Sequence, residues 1–340
     1  MAPSPRSLKP APPPPQPSSP PTPSSPSPSP SPSSSPEETL KSPSLYSDIF
    51  YDASHHLHAT PSSQTIDSLA PIETFFRKNP RFLYSAAALK DHPYNPLTPE
   101  VVLLGASNVG KSSFLNALVS RSGTARVGPR PGKTTLMNAY GVGPAPITPK
   151  KDLTPGTHKP THPLIVMDTP GYGFKSKATW GKSIVEYLAS RKALRGAIVL
   201  LSSEKKLLDT DRWILKTLAD TNTRTLAVLT KVDKAKGRWS VVGSDMARAL
   251  QEELRALEVQ SDYEWSEGSG WVPDVYLTAA GMRGASNTLG NGGGMGGVRA
   301  AILEMAGIDL GVKRAKTPEE PQNKSYEGKI VSFDDLQWKK

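Results

Sequence analysis

The sequence predicts an α/β fold with three layers, in which helices cover both faces of a doubly wound, mostly parallel sheet. Short apolar runs typical of buried strands alternate with segments whose apolar residues recur at helical spacing. The first run, residues 101–104, leads through a glycine-rich stretch into a helix over 111–118. Polar segments at both termini reduce the 340 residues to roughly one domain's worth, so we expect one core.

Residues 1–36 consist almost entirely of Pro, Ser, Ala and Thr, with Arg6 and Lys9 as their only charges. Such a composition cannot bury enough apolar surface to order itself, so residues 1–43 are predicted to be disordered. The absence of acidic residues before Glu37 is typical of a mitochondrial presequence, which makes the mitochondrial matrix one expected location. The high proline content argues against the helix that import receptors read. A low-complexity tail on a cytoplasmic protein and a Pro-rich ligand for aromatic grooves are the alternatives.

Residues 44–95 are expected to form a partly ordered lead-in that packs against the domain after it. Aromatic residues cluster at 72–88, and Pro80 divides this part into two pieces. Three basic residues interleave with three phenylalanines over 75–82, which indicates an RNA-facing surface or, more simply, a packed helix with a solvated edge. Three histidines at 55–58 could ligate a transition metal, but a solvated polar run explains them better.

The main domain is predicted over residues 96–310, and its first feature is the glycine-rich stretch at 105–112. The spacing Gly, four residues, Gly-Lys-Ser lets a backbone turn around a phosphate with its amides pointing inward. We expect Gly105 to supply an unusual conformation and Gly110 to remove a side chain where the backbone approaches a β-phosphate. Lys111 would reach the β- and γ-phosphates, and Ser112 would ligate Mg²⁺. The alternative, a loop that opens a helix and binds nothing, does not explain the strand, the helix and the Gly-Lys-Ser triplet together.

A loop rich in Gly, Pro and charge follows at 121–133 and reaches Pro-Gly-Lys-Thr-Thr at 131–135. A mobile switch is expected between the first helix and the second strand, so Thr134, or its neighbour Thr135, could give a hydroxyl to Mg²⁺. A surface loop whose threonines serve only its own turns is the alternative. The second strand is predicted at 136–142, and residues 143–163 form a solvent-exposed insertion in a hairpin.

The third strand, residues 164–167, ends in Asp-Thr-Pro-Gly at 168–171. Asp168 could hold a water on Mg²⁺, and the Gly171 N–H could donate to a γ-phosphate, so this turn would sense whether that phosphate is present. An ordinary hairpin turn has the same residues. Its distance from the upstream phosphate loop favours the switch.

Helices are then predicted at 180–191, 207–218 and 244–259, with strands at 196–201, 224–229 and 272–277 and a closing helix at 298–305.

The fifth strand ends in Thr-Lys-Val-Asp at 230–233. Asp233 can accept from two N–H groups that guanine presents and adenine lacks, and Lys231 would lie along the base. After the sixth strand, Thr-Ala-Ala at 278–280 would let a backbone amide, that of Ala279, reach guanine O6. A glycine-rich segment lies at 281–297, and residues 311–340 form a polar tail whose basic and aromatic residues could contact RNA or a partner.

Composition limits the remaining classes. The chain has no cysteine, which excludes disulfides and thiolate metal sites, and no apolar run long enough for a transmembrane helix. Its net charge of +10 suggests an anionic partner, either nucleic acid or a membrane surface.

With these motifs in place, the chain resembles the EngB-type GTPases, which are TrmE-Era-like, Ras-like P-loop proteins. The resemblance rests on residues 105–113, 131–134, 168–174 and 230–233, and Asp-Thr-Pro-Gly-Tyr-Gly-Phe is its most specific part. It implies GTP or GDP and Mg²⁺ in the site, a monomer, and slow GTP hydrolysis as a switch in the assembly of the large ribosomal subunit, with that subunit or its rRNA as partner. The terminal extensions resemble those of a eukaryotic, fungal mitochondrial member. The family pattern Asp-x-Arg after the fourth strand is replaced by Ser-Ser-Glu at 202–204.

The resemblance leaves the catalytic group open. Ras-like enzymes place a water-orienting glutamine where this chain has Tyr172, so Thr134 and Gly171 are the remaining candidates. Asn108 resembles the potassium-binding asparagine of related GTPases, although it could merely cap the loop. A GTP-dependent checkpoint module with negligible hydrolysis is the alternative function. A P-loop kinase or ATPase is disfavoured by residues 230–233.

The predicted nucleotide-binding residues fall into four groups. They are Gly105, Ala106, Ser107, Asn108, Val109, Gly110, Lys111, Ser112 and Ser113; Pro131, Gly132, Lys133 and Thr134; Asp168, Thr169, Pro170 and Gly171; and Thr230, Lys231, Val232, Asp233, Thr278, Ala279 and Ala280. Ser112, Thr134 and Asp168 are the predicted Mg²⁺ ligands, Asp168 through water, and Asn108 is a candidate K⁺ ligand.

Overall fold

The computed structural model describes residues 47–60, 63–125, 136–146, 159–172, 178–261, 263–280 and 293–311. All of them belong to the compact unit Lys41–Lys340. The predictions for residues 1–43, for 131–135, for most of the insertion, for 173–174 and for the tail from 312 on lie outside the described residues.

The described strands and helices follow the predicted order. The strands are β1 (Asp48–Tyr51), β2 (Leu57–Thr60), β3 (Arg81–Ala86), β4 (Glu100–Gly105), β5 (Met137–Val142), β6 (Leu164–Asp168), β7 (Leu194–Ser202), β8 (Thr225–Thr230) and β9 (Val275–Leu277). The helices are α1 (Ser63–Arg77), α2 (Lys111–Leu118), α3 (Ala178–Ser190), α4 (Asp209–Asp220), α5 (Trp239–Gln260) and α6 (Met295–Ala306).

These strands form one sheet in the order β2-β1-β9-β8-β7-β4-β6-β5-β3. The central strands β6, β4, β7, β8 and β9 are parallel, and β5 and β1 run against them on either side. The sheet is therefore mostly parallel, as predicted. Because the central strands share one direction, the segments that follow β4, β6, β8 and β9 meet at one edge, where α/β proteins bind ligands.

Both faces of the sheet are covered. Along β4, Val101 and Leu103 pack with α1, α2 and α6, whereas Val102 and Leu104 pack with α3, α4 and α5. This alternation is what a strand buried on both faces requires. The expected single core is thus two apolar layers separated by the sheet.

The lead-in contributes more to the sheet than the sequence predicted. The hairpin of β1 and β2, which the sequence analysis missed, pairs with β9, and β3 pairs with β5 at the opposite edge. Helix α1 ends at Arg77, before Pro80, and β3 begins at Arg81, so Pro80 separates two elements. Phe75 and Phe76 are buried while Phe82 is 51% exposed, an arrangement that fits a packed helix with a solvated edge.

Strand β9 is shorter than the predicted strand at 272–277, since it begins at Val275. Pro273 explains the difference because a proline cannot donate to the ladder. At the β1–β2 turn, His58 Nε2 lies 2.7 Å from Asp52 Oδ2. Within the described residues no cluster of three or more His, Cys, Asp or Glu side chains has the arrangement of a metal site. The same residues contain no helix with the length and apolar character of a membrane span.

Candidate nucleotide-binding site

The loop between β4 and α2 has two left-handed positions. Asn108 has φ 64° and Gly110 has φ 110°, and Gly110 forms the N-cap of α2. A Cβ on Gly110 would meet no atom within 4 Å, whereas one on Gly105 would lie 2.7 Å from Leu200 O. The role predicted for Gly105 is therefore wrong, while the approach of a phosphate to Gly110 stays a prediction. Gly110 is required by its conformation, and Gly105, whose φ is not positive, is required by the close approach of β7.

Lys111 begins α2, and its side chain turns back across the loop. Its Nζ donates to Gly105 O at 2.8 Å and Ala106 O at 3.1 Å. The side chain is buried, and burial lowers its pKa to about 8, although the nearby Asp168 carboxylate acts in the opposite direction. The ammonium thus lies inside the loop, held by carbonyl groups that an incoming anion could replace.

Asp168 ends β6 beside β4, opposite Leu103 in the parallel ladder. It is 2% exposed, and its Oδ1 has no hydrogen-bond partner among the described residues. Burial raises the pKa of this carboxyl to about 6, and the Lys111 ammonium only partly opposes the shift. A buried carboxylate oxygen without a partner is destabilising unless something binds it, so this atom fits a bound cation or its water shell.

The turn after Asp168 packs directly on the phosphate loop. Ser107 N–H donates to Tyr172 O at 2.9 Å, and Ser107 Oγ donates to Gly171 O at 3.2 Å. A Cβ on Gly171 would lie 2.7 Å from Ser107 Cα, so only glycine fits this approach. Thr169 is buried and its hydroxyl donates to Leu103 O at 2.6 Å. The structure therefore brings the two predicted phosphate motifs into contact.

Tyr172 does not point into the site. Its ring lies in the core, and its hydroxyl donates to Asp211 Oδ1 in α4 at 2.8 Å. The hydroxyl of the side chain that replaces the Ras-like glutamine is thus engaged by Asp211 and by the backbone of Ala106. No local pattern indicates Asp211 as a partner, because it lies 39 residues from Tyr172.

Thr230 connects the predicted guanine motif, residues 230–233, to the phosphate loop. This residue is buried, and its hydroxyl donates to Val109 O at 2.8 Å, with Leu201 O at 3.2 Å. Val232 N–H donates to Thr278 O at 3.3 Å, which links the motif to the segment after β9. The structure therefore places residues 105–112, 168–171, 230–233 and 278–280 at one edge of the sheet.

Lys231 has φ 61°, and its Nζ lies 3.1 Å from Glu204 Oε2. Glu204 is the last residue of Ser-Ser-Glu, the departure from the family pattern. Glu204 thus pairs with Lys231, the residue that was expected to lie along a guanine base. Asp233 is half-buried at the start of the turn that follows β8, so its carboxylate is accessible to a ligand.

One predicted contact differs from the structure. The Ala279 N–H donates to Gly293 O at 3.0 Å, and both residues form an isolated bridge. This amide reaches a base only if that bond opens. Ala280 is the next residue of the turn and is half-buried.

Ser112 and Ser113 lie half-exposed in the first turn of α2, where a Mg²⁺ ligand and a phosphate contact are expected. Asn108 is exposed, and its positive φ is a conformation that asparagine tolerates better than most residues. Its presence therefore has a conformational explanation in addition to the K⁺ hypothesis. Pro131, Gly132, Lys133 and Thr134 lie outside the described residues.

The residues present fit a nucleoside phosphate with Mg²⁺. The loop supplies amides at a helix N-terminus and a buried ammonium, and Asp168 supplies the unpartnered carboxylate oxygen. Bound Mg²⁺ would neutralise phosphate charge, held by Ser112 and, through water, by Asp168. The protein's own groups would grip the phosphates and order the turn at 168–171.

Comparisons with known proteins agree with this arrangement. The chain matches the family described as 50S ribosome-binding GTPase over residues 100–231. It is 36% identical to the probable GTP-binding protein EngB of Pediococcus pentosaceus over 158 residues, 45% of this chain and 72% of that protein. It is also 36% identical to the protein of the same name from Streptococcus thermophilus over 168 residues, 48% of this chain and 75% of that protein.

Among solved structures, Toc33 from Arabidopsis thaliana in complex with GDP and Mg²⁺ aligns with 75% of this chain and 93% of its own, with TM-score 0.45 and 16% identity. The identities of 36% over more than two thirds of both EngB proteins show the family. The chain belongs to the EngB family of P-loop GTPases.

Proposed function

We propose that this protein binds GTP and Mg²⁺, hydrolyses GTP slowly, and acts as a switch in the assembly of the large ribosomal subunit of mitochondria. The observation that carries the nucleotide part is the meeting of three motifs at one sheet edge. Ser107 contacts Gly171 and Tyr172, and Thr230 contacts Val109. Hydrogen bonds to backbone carbonyls therefore connect the phosphate loop to residues 168–171 and to residues 230–233, which would contact the base.

Each group has one role in this proposal. The amides of 107–113 and the Lys111 ammonium grip the phosphates, and the Gly171 N–H donates to the terminal phosphate. Asp233 accepts from the two donors on guanine, and Lys231 lies over the base. The resident cation would supply charge neutralisation through Ser112, Thr134 and Asp168. The γ-phosphate then adds a contact to the turn at 168–171, and its loss on hydrolysis removes that contact.

Slow hydrolysis is supported by the position of Tyr172, whose hydroxyl is engaged by Asp211 in the core. Tyr172 stands at the position of the Ras-like glutamine, so that position offers no amide to orient a water. The same observation favours the second candidate function, a GTP-dependent checkpoint module with negligible hydrolysis.

Turnover of GTP measured with and without large-subunit particles separates the switch from the checkpoint module. Acceleration by the particles supports the switch, and a flat, negligible rate supports the checkpoint.

Nucleotide choice is tested by titration. The protein should bind GDP at least about 100-fold more tightly than ADP, since a carboxylate left unpaired against adenine is costly. Asp233→Ala should remove most of this preference, whereas Asp209→Ala, which removes an exposed carboxylate, should leave it unchanged. Equal affinity for GDP and ADP in the unmodified protein would contradict the proposal.

The proposed K⁺ ligand is Asn108. If K⁺ binds there beside the phosphates, single-turnover hydrolysis should be several-fold faster in K⁺ than in Na⁺, and Asn108→Gly should remove the difference while keeping the left-handed conformation. Equal rates in the two cations would dispose of this role.

For the ribosome and the mitochondrion, support comes from the family and from the N-terminal composition. Relatives named EngB align with 45–51% of this chain, and residues 1–36 carry two basic and no acidic residues. We propose a monomer that docks on pre-ribosomal large subunits or their rRNA in the mitochondrial matrix. Residues 1–43 fused to a fluorescent protein should direct it to mitochondria. A diffuse cytoplasmic signal would favour the alternative location.

A further inference from the structure

A buried hydrogen bond joins the turn at 168–172 to helix α4. The hydroxyl of Tyr172, which is 2% exposed, donates to Asp211 Oδ1 at 2.8 Å, and Asp211 is 6% exposed. A hydroxyl that donates to a carboxylate forms one of the stronger classes of hydrogen bond. Because both groups are buried, water cannot readily replace either partner if the bond breaks.

Asp211 is itself fixed. Its Oδ2 accepts from Leu208 N–H at 2.9 Å, in the first turn of α4, where the helix dipole favours a negative charge. The buried residues Ile214, Leu215 and Leu218 hold α4 against the sheet. The acceptor for Tyr172 therefore belongs to a rigid element and not to a loop.

The backbone of Tyr172 is held on its other side by the phosphate loop. Its carbonyl accepts from Ser107 N–H at 2.9 Å, and its N–H donates to Gly105 O at 3.4 Å. Gly171 lies between this contact and Asp168, packed on Ser107 with no room for a Cβ. The position of the Gly171 amide is thus determined by how firmly Tyr172 is anchored.

We propose that Asp211 is a positioning residue for the GTPase site, which acts through Tyr172 to hold the Gly171 N–H where the terminal phosphate arrives. The inference rests on the proposed function, because it assumes that this amide contacts the γ-phosphate. GDP lacks that phosphate. Loosening the anchor therefore weakens the binding of GTP more than the binding of GDP.

The test compares two tyrosine hydroxyls. Tyr172→Phe removes the donor to Asp211 together with the hydroxyl's contact with the backbone of Ala106, and the Asp211→Ala variant separates the two. The matched control, Tyr187→Phe, removes a buried hydroxyl that donates to Glu100 Oε2 at 2.8 Å, at the opposite end of β4. The measurements are the Kd of GDP, the Kd of a non-hydrolysable GTP analogue and the single-turnover rate.

Tyr172→Phe should weaken analogue binding relative to GDP binding by about 3- to 10-fold and slow the single-turnover step, whereas Tyr187→Phe should leave both unchanged. Both variants lose stability, so stability alone does not distinguish them. An unchanged ratio in Tyr172→Phe, or equal changes in the two variants, would overturn the proposal.

Asp211→Ala provides a second check. If Asp211 acts through the tyrosine, this change should shift the ratio in the same direction, and adding it to Tyr172→Phe should shift the ratio no further. Independent, additive shifts would contradict the proposed route. Failure of the unmodified protein to bind either guanine nucleotide would instead contradict the proposed function, and the titration of that protein shows it before any variant is made.

Discussion

At the residue scale, burial disfavours the charged forms of both Asp168 and Lys111. Burial raises the pKa of the Asp168 carboxyl to about 6 and lowers that of the Lys111 ammonium to about 8. Their mutual attraction does not offset the loss of water around each of them. A ligand with phosphates and a cation would compensate both groups at once.

This imbalance predicts that Asp168→Asn stabilises the nucleotide-free protein while it weakens binding of the Mg²⁺ nucleotide. The folded-state pKa of about 6 lies above the ordinary 3.8, so the stability contribution of the neutral carboxyl is present below pH 3.8 and is lost as pH rises through 6. Above pH 6 the variant should gain about 1 to 3 kcal/mol in free energy of unfolding, measured by urea denaturation from pH 4 to 8.

The control for that experiment is Asp211→Asn. Both Asp211 oxygens accept hydrogen bonds, from Tyr172 and Leu208, and an amide offers only one acceptor oxygen. This variant should therefore lose stability. A loss of stability in Asp168→Asn at pH 8 would show that the unpartnered carboxylate is not destabilising.

The two glycines of the phosphate loop should respond differently to replacement. Gly105→Ala places a Cβ 2.7 Å from Leu200 O and 2.8 Å from Val109 Cγ1 and should cost about 1 to 3 kcal/mol through overpacking. Gly110→Ala meets no atom but must adopt φ 110°, at a cost of about 1 to 2 kcal/mol in strain.

Val109→Ala distinguishes these causes in a double-mutant cycle. Removing the Val109 methyl groups should recover part of the loss in Gly105→Ala, because one of the two close contacts disappears. It should recover nothing in Gly110→Ala. Equal coupling in both cycles would contradict the different causes assigned to the two glycines.

At the element scale, Arg299 shows how α6 holds the helix that carries Lys111. The Arg299 side chain is fully buried, and it donates to Leu118 O at 2.8 Å, to Ala117 O at 2.7 Å and to Ser120 Oγ at 2.8 Å. These acceptors lie at the C-terminal end of α2, where helix carbonyls lack partners within the helix and cations are favourable.

Arg299→Met should therefore destabilise the protein by about 3 kcal/mol, because it removes three buried hydrogen bonds and takes from Leu118 O its donor. The matched control is Arg212→Met. Arg212 is half-exposed and pairs with Asp209 and Glu253, so its loss should cost less than about 1 kcal/mol. Urea denaturation midpoints check both values, and similar losses would show that α2 does not depend on this cap.

The elements that the sequence predicted well are those whose signal is local. Apolar runs, helical spacing and the glycine-rich loop lie within a few residues and determine β4, α2 and β6 directly. Glu100 shows the limit of such reasoning. It is fully buried and accepts from Asn95, Tyr187 and Arg191, a network that brings together residues far apart in sequence. Only the folded arrangement shows that this carboxylate can lie in the core.

The same distinction applies to the candidate site. The phosphate and guanine motifs could be identified because each is a short string with a fixed spacing. Glu204 beside Lys231, Tyr172 beside Asp211 and Ala279 beside Gly293 could not, since each contact depends on how separate segments meet. These contacts determine where the groups of the site lie, so substitutions at these residues test the site most directly.

At the scale of the whole molecule, the hairpin of β1 and β2 is part of the domain although it precedes all the nucleotide motifs. Ile49 and Tyr51 are buried in the core, and β1 pairs with β9. Gln251 Nε2 in α5 donates to Asp52 O at 2.9 Å, and Ser47 Oγ accepts from Gly294 N–H at 2.7 Å, beside the start of α6. The hairpin thus closes the sheet edge next to the segment at 278–280.

Deletion of residues 1–43 should leave the thermal stability and the GDP affinity unchanged, whereas deletion of residues 1–62 should abolish both. The larger deletion exposes the edge of β9 and removes Ile49 and Tyr51 from the core. Burial of two such side chains contributes about 3 to 6 kcal/mol, which is comparable with the whole stability of many domains. Adding a peptide of residues 44–62 to the larger deletion should restore GDP binding in part, because the strand can pair from outside the chain. If residues 63–340 alone were as stable as the full chain, the hairpin would be an appendage, and the guanine-binding edge would not depend on it.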